Sequence, residues 1–125
     1  METKLNVVIA DDDGVTRSVL RLLLHENKHI VVGEASDGLR AIELCGQLKP
    51  DVAFLDIDMP RMTGHEAAVE ILRENPSVKV VMVSGLATLQ NVQNAMQSGA
   101  SGFVVKPFNA HKIIEALGRI YKPRK

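Results

Sequence analysis

Short apolar runs rich in Val and Ile recur along the chain, at residues 5–10, 30–32 (reaching at most 35), 52–55, 78–83 and 103–105. Between them the apolar positions change period. Val15, Val19, Leu22 and Leu23 share one face of a first helical segment. Ala41, Ile42, Cys45 and Leu48 do so in a second, which Pro50 closes. A third covers 66–72 and stops at Asn75-Pro76. Val92, Ala95 and Met96 mark a fourth, stopped by Gly99, and Ile113, Ile114, Leu117 and Ile120 mark a fifth. The pattern is strand then helix, five times over. Strands apolar throughout, alternating with helices, predict a parallel sheet covered on both faces, a single doubly wound (βα)5 domain of the α/β class.

Composition narrows the function classes. A chain of 125 residues, 46% hydrophobic and 24% charged, builds a real core and is not a disordered segment. Its formal net charge is zero, which gives no support to direct nucleic-acid binding. One cysteine, Cys45, allows neither an internal disulfide nor a Cys-rich zinc site, and its place on the second helix predicts a small core residue. Neither a signal peptide nor a membrane span is legible, so a cytoplasmic protein without membrane contact is expected. The domain is expected over 1–121, with 122–125 a basic tail or the start of a linker.

The chemistry gathers where the strands end. Ligands of such folds bind at the carboxyl edge of the sheet. Strand 1 ends in Asp11, Asp12 and Asp13, strand 3 in Asp56 and Asp58, strand 4 in Ser84-Gly85 and strand 5 in Lys106-Pro107. Close carboxylates stay ionised only with a positive charge among them. An oxygen-only ligand set suits a hard cation, Mg2+ first and Mn2+ as a substitute. Lys106 and the Ser84 hydroxyl then complete an anion pocket beside the metal, and a carboxylate placed there can be a phosphoryl-accepting nucleophile. Asp13-Gly14 alone reads more simply as a helix cap.

Four segments in order, VVIADDD, LDIDMPRMTG, VVMVSG and GASGFVVKPF, make the chain resemble the receiver domain of two-component response regulators, the group that includes the chemotaxis regulator. The resemblance runs from about residue 6 to 120. It implies a flavodoxin-like strand order 2-1-3-4-5. Asp56 takes the place of the phosphoacceptor, Asp12 of a direct Mg2+ ligand and Asp11 of its assistant, with the Asp58 backbone carbonyl as the remaining protein ligand. Ser84 and Lys106 take the places of the groups that bind the phosphoryl oxygens. Phe103 replaces the rotating switch aromatic, and Lys106-Pro107 is expected to be cis. Asp58 and Leu86 stand where the family flanks the path of the hydrolytic water. A histidine kinase or phosphotransfer protein is the implied donor. The surface of helix 4, strand 5 and helix 5 is the implied docking face for an output protein or dimer mate. The implied protein is a signalling switch, not a metabolic enzyme.

Other readings compete. His25-Glu-Asn-Lys-His29 has the HExxH zinc-protease spacing, but a strand starts at Ile30, so a polar helix end is expected instead. A haloacid-dehalogenase-like phosphatase also uses Asp-x-Asp, Ser and Lys, though with its nucleophile on the first strand. A pseudo-receiver would bind partners without phosphorylation. His65 and His111 read as surface residues near helix starts. Residues 80–105 contain no charged residue or histidine, and Gln90, Asn91, Gln93, Asn94 and Gln97 give helix 4 an uncharged polar face, as in interface cores depleted of charge.

Overall fold

A computed structural model describes residues 4–121; the expected tail at 122–125 lies outside them. The elements alternate as β1 (Asn6–Ala10), α1 (Gly14–Glu26), β2 (Ile30–Ala35), α2 (Gly38–Leu48), β3 (Val52–Asp56), α3 (Gly64–Glu74), β4 (Lys79–Ser84), α4 (Leu89–Gln97), β5 (Gly102–Val105) and α5 (Ala110–Ile120). All strand pairs are parallel, in the order β2-β1-β3-β4-β5. This is the doubly wound α/β arrangement that the residue pattern and the resemblance predict.

The period of two along each strand sorts the core into two layers. Val7, Ile9, Val52, Phe54, Val81, Val83 and Val104 point to one face, where Leu20 and Leu24 of α1 and Ile113, Ala116 and Leu117 of α5 cover them. Val8, Ala10, Ala53, Leu55, Val80 and Met82 point to the other, under Ala41, Leu44 and Cys45 of α2, Ala67, Ala68 and Ile71 of α3, and Ala95 of α4. Full burial of a large side chain such as Phe54 or Leu24 contributes about 1.5–3 kcal/mol. Cys45 is fully buried, as expected, and burial pushes its thiol up to about 12.

The first helix turns a different face inward from the one its spacing suggests. Val15, Val19 and Leu22 are exposed, at 72%, 43% and 57%, while Leu20 and Leu24 are buried. Apolar residues occupy six positions from Val15 to Leu24, enough to describe two overlapping stripes, and packing on β1 and α5 selects one of them. The second strand runs to Ala35, with a register shift at which Val7 pairs with Val31 and Val8 with Gly33. Its apolar run stops at Val32, before Gly33 and Glu34, and Glu34 pairs with Arg17 and Arg21 of α1.

Each helix starts on a side chain that accepts from a backbone amide of its first turn: Asp13, Asp37, Thr63, Thr88 and Asn109. Such caps contribute about 1 kcal/mol each. Asp13 is thus a cap, its carboxylate also accepting from the Thr16 hydroxyl at 2.7 Å. That bond holds its carboxyl below the usual value. The zinc-protease spacing is also resolved. Helix α1 ends at Glu26, and His29 lies beyond it, its Nδ1 accepting from the Leu5 amide at 3.2 Å. Just past the end of α4 lies Gly99, whose φ of +95° and 2.7 Å approach of a Cβ to Leu72 Cδ1 admit only glycine without strain.

Candidate functional site

The carboxyl ends of β1, β3, β4 and β5 converge at one edge of the sheet, and their parallel register brings distant residues together. Asp56 ends β3 beside Val83, and Ser84 ends β4 beside Val105. The backbone amide of Lys106 donates to the Ser84 carbonyl at 2.8 Å, and the Lys106-Pro107 bond is cis, as expected. Asp11, Asp12 and Asp56 each place a carboxylate oxygen within 4.8 Å of the others. Asp11 and Asp56 are buried and Asp12 is exposed. Lys106 Nζ reaches Asp11 Oδ2 at 2.9 Å and Asp56 Oδ1 at 3.4 Å.

The electrostatics follow from this crowding. Burial raises the Asp56 carboxyl, and the charge of Asp11 raises it further; Lys106 and the Asp58 amide pull it down, leaving it at about 6. Burial works against the Lys106 charge, but the bond to Asp11 and the charges of Asp56 and Asp11 outweigh it and hold the ammonium above its ordinary value. One lysine therefore pairs with two acids of a cluster of three. A divalent cation fits the remaining negative charge, and the all-oxygen donor set of Asp11, Asp12 and Asp56 suits Mg2+ rather than a softer metal.

A pH dependence follows. Without divalent cations, Asp56 should gain its proton with a midpoint near 6, read from its carboxyl carbon by NMR. Saturating Mg2+ should move that midpoint down by about one unit or more, because an added positive charge favours the ionised form. A metal-free midpoint near the ordinary aspartate value would contradict the crowding described above.

Ser84 is fully buried, and its hydroxyl bonds to the backbone of Leu86. It donates to the Leu86 carbonyl at 3.2 Å and accepts from the Leu86 amide at 3.1 Å. The Asn91 side chain donates to the same carbonyl at 2.9 Å. Leu86 itself is 64% exposed at the mouth of the site. Asp58 is exposed beyond the end of β3. Phe103 is half-buried against the core layer under α2, α3 and α4, and lines a groove with Val92, Met96, Lys112, Glu115 and Arg119. His111 is at the surface as expected. His65 is half-buried, and both its ring nitrogens are enclosed and without a hydrogen-bond partner among the described residues. Its ring is lowered by burial and raised by the charge of Asp58. His65 shares a groove with Val69 of α3 and with Asn94 and Gln97 of α4.

Three supporting residues escape a reading of the sequence. Gly64, the first residue of α3, lies so close to the end of β3 that a Cβ would stand 2.5 Å from the Asp56 carbonyl oxygen. Its signal was the Thr63–Glu66 capping box, in which each side chain accepts from the other residue's amide and which fixes where α3 begins. Arg17 and Glu34 support the Asp11 backbone and carry no motif at all.

The model of the response regulator receiver domain matches residues 7–118. The chain belongs to this family. The chemotaxis protein CheY of Listeria monocytogenes is 38% identical over 118 residues, covering 94% of this chain and 99% of that protein. Among solved structures, the receiver domain of the response regulator NarL from Mycobacterium tuberculosis superposes with a TM-score of 0.85 at 36% identity, covering 97% of this chain and 98% of that one. CheY of Borrelia burgdorferi, solved in a complex with CheX, BeF3 and Mg2+, gives a TM-score of 0.90 at 28% identity over 94% and 90% of the two chains. This receiver is thus a CheY-like signalling domain, and neither the phosphatase nor the pseudo-receiver reading is favoured. No helix among the described residues is long and apolar enough to cross a membrane.

Proposed function

We propose that this receiver is switched by a phosphoryl group accepted on Asp56 from the phosphohistidine of a sensor kinase or phosphotransfer protein. The observation that carries this reading is the position of Lys106, whose ammonium bridges Asp11 and Asp56 while Asp12 completes the acidic cluster. An Asp56 carboxylate oxygen attacks phosphorus, a P–O bond forms, the P–N bond breaks, and the imidazole leaves with its electron pair. Mg2+, held by Asp11, Asp12, Asp56 and the Asp58 carbonyl, would neutralise charge on the transferring group. The Lys106 ammonium then pairs with a phosphoryl oxygen as Asp56 becomes an acyl phosphate and surrenders its own negative charge to the new group.

The switch starts from the Ser84 hydroxyl. Its present partners are the backbone groups of Leu86, and a phosphoryl oxygen offers a stronger, charge-assisted acceptor. Turning toward it drags the β4–α4 loop and vacates space into which Phe103 rotates. The readout is the face formed by α4, β5 and α5. There Val92 and Met96 of α4 share a groove with Lys112, Glu115 and Arg119 of α5, and Gln90, Gln93 and Gln97 are exposed on α4. An output protein or a second receiver docks on that face. Leu86 and Asp58 flank the site, the first as an apolar shield and the second as a carboxylate able to orient the hydrolytic water.

Beryllofluoride with Mg2+ tests this coupling. Amide and side-chain NMR signals of Ser84, Phe103 and α4 should shift together with those around Asp56, because the anion favours the state in which the hydroxyl has moved. Shifts confined to Asp11, Asp12 and Asp56 would contradict it.

A further inference from the structure

The three acids of the β1–α1 turn repel one another, and Asp11 to Asp13 lie outside both regular elements. What fixes Asp11 is a pair of bonds from its two backbone groups. Its amide donates to the Ala35 carbonyl of β2 at 3.0 Å. Its carbonyl accepts from Arg17 Nη1 at 2.6 Å. The same guanidinium presents Nε to Glu34 Oε1 at 3.3 Å, and Arg21 pairs with the other oxygen of Glu34. Arg17 and Glu34 are about three-quarters enclosed. Glu34 and Ala35 are neighbours on β2, opposite Ile9 and Ala10. The end of β2 therefore holds Asp11 from both sides, directly through Ala35 and by way of Arg17 through Glu34.

We propose that Arg17 and Glu34 are positioning residues for the metal, a clamp that holds the Asp11 backbone so that the Asp11 and Asp12 carboxylates meet a divalent cation in a preset geometry. The proposal rests on the reading of those two acids as Mg2+ ligands. Supporting groups of this kind tune metal affinity without touching the metal. The planar fork of arginine is what makes the clamp possible, since it reaches a carbonyl and a carboxylate at once with fixed geometry. Lysine at 17 keeps the charge and loses the fork, so any change it causes is not the electrostatic effect of a missing cation.

The test is Mg2+ binding by calorimetry to the wild type, Arg17→Lys, Glu34→Gln and the double variant. An exposed arginine on α2, changed as Arg40→Gln, serves as control. Each single change should weaken Mg2+ binding by up to about tenfold. The double variant should be no more than about twofold weaker than the weaker single, because both changes break one clamp. Hydrogen exchange of the Asp11 amide should quicken in the metal-free variants. Phosphorylation by acetyl phosphate should recover most of its rate at saturating Mg2+. Folded variants with wild-type Mg2+ affinity and only a lowered melting temperature would overturn the proposal, leaving the pair a plain support of the fold. If Arg17→Lys does not fold, Glu34→Gln alone decides by the same criterion. A wild type that binds no Mg2+ would instead overturn the reading of the site, and is told apart from a failed clamp because the unmutated protein shows it.

Discussion

Asp56→Asn should abolish phosphorylation by acetyl phosphate and Mg2+ while making the protein more stable. The first effect follows from chemistry: an amide is no nucleophile toward phosphorus, and no other described acid is both buried and paired with Lys106 apart from Asp11, which the lysine holds at 2.9 Å. The second follows from the electrostatics. The Asp56 carboxyl titrates at about 6 in the folded chain, against 3.8 for an ordinary aspartate. Folding therefore favours the protonated form. That contribution is complete below about 3.8 and has vanished once the pH passes about 6. At neutral pH the native protein carries a charge its surroundings disfavour, and asparagine removes it. One pKa unit corresponds to about 1.4 kcal/mol. With solvent screening at the open edge, the variant should be about 1–2 kcal/mol more stable at pH 7.5 and free of metal. It should melt several degrees higher, and the gap should close as the pH falls toward 4. A variant that is phosphorylated in full, or that melts lower than the wild type at pH 7.5, contradicts this account.

Gly64→Ala should have the opposite signature. An added Cβ would lie 2.5 Å from the Asp56 carbonyl oxygen and 3.0 Å from the Ile57 Cα, both backbone atoms that no rotamer change can move. Either α3 lifts away from the end of β3 or the strand end shifts. Overpacking of this kind costs about 1–3 kcal/mol. The same displacement moves Asp56 relative to Lys106, and misplacements near 1 Å carry rate losses of about a hundredfold. Phosphorylation should therefore slow far more than the loss of folded protein explains, as judged by rates per folded molecule below the melting transition. Gly118→Ala is the natural comparison. That helical glycine has nothing within 4 Å of its added Cβ, so alanine should stabilise α5 by about 0.5–1 kcal/mol and leave phosphorylation unchanged. Equal effects of the two substitutions would mean that Gly64 is not a spacer for Asp56.

Much of this was readable from residue order, for identifiable reasons. Strands β1, β3 and β4 are apolar on both faces because helices cover both, so their runs stand out and their ends can be placed to within a residue. The acids and Lys106 were locatable because each directly follows such a run, and the parallel sheet carries every run to the same edge. The inward face of α1 was not legible. Apolar Val15, Val19 and Leu22 match a helical period as well as Leu20 and Leu24 do, and only the packed partners decide. His65 reads as a surface residue near a helix start, yet it is half-buried with both ring nitrogens enclosed, in a groove it shares with Asn94, Gln97 and Ser98, which local spacing does not encode. The same holds for Gly64, Arg17 and Glu34, whose importance is a distance to Asp56 or Asp11 across the fold. The orientation of the Ser84 hydroxyl toward Leu86 is likewise a matter of the loop's geometry.

The central claim is that Asp56 accepts the phosphoryl group, and reductive trapping measures it most directly. The protein is incubated with acetyl phosphate and Mg2+, reduced with borohydride, which converts an acyl phosphate to an alcohol, and mapped by mass spectrometry. The account predicts homoserine at position 56 alone, dependent on Mg2+. Homoserine at Asp11, Asp12 or Asp58, or no conversion in a folded, Mg2+-bound protein, would contradict it.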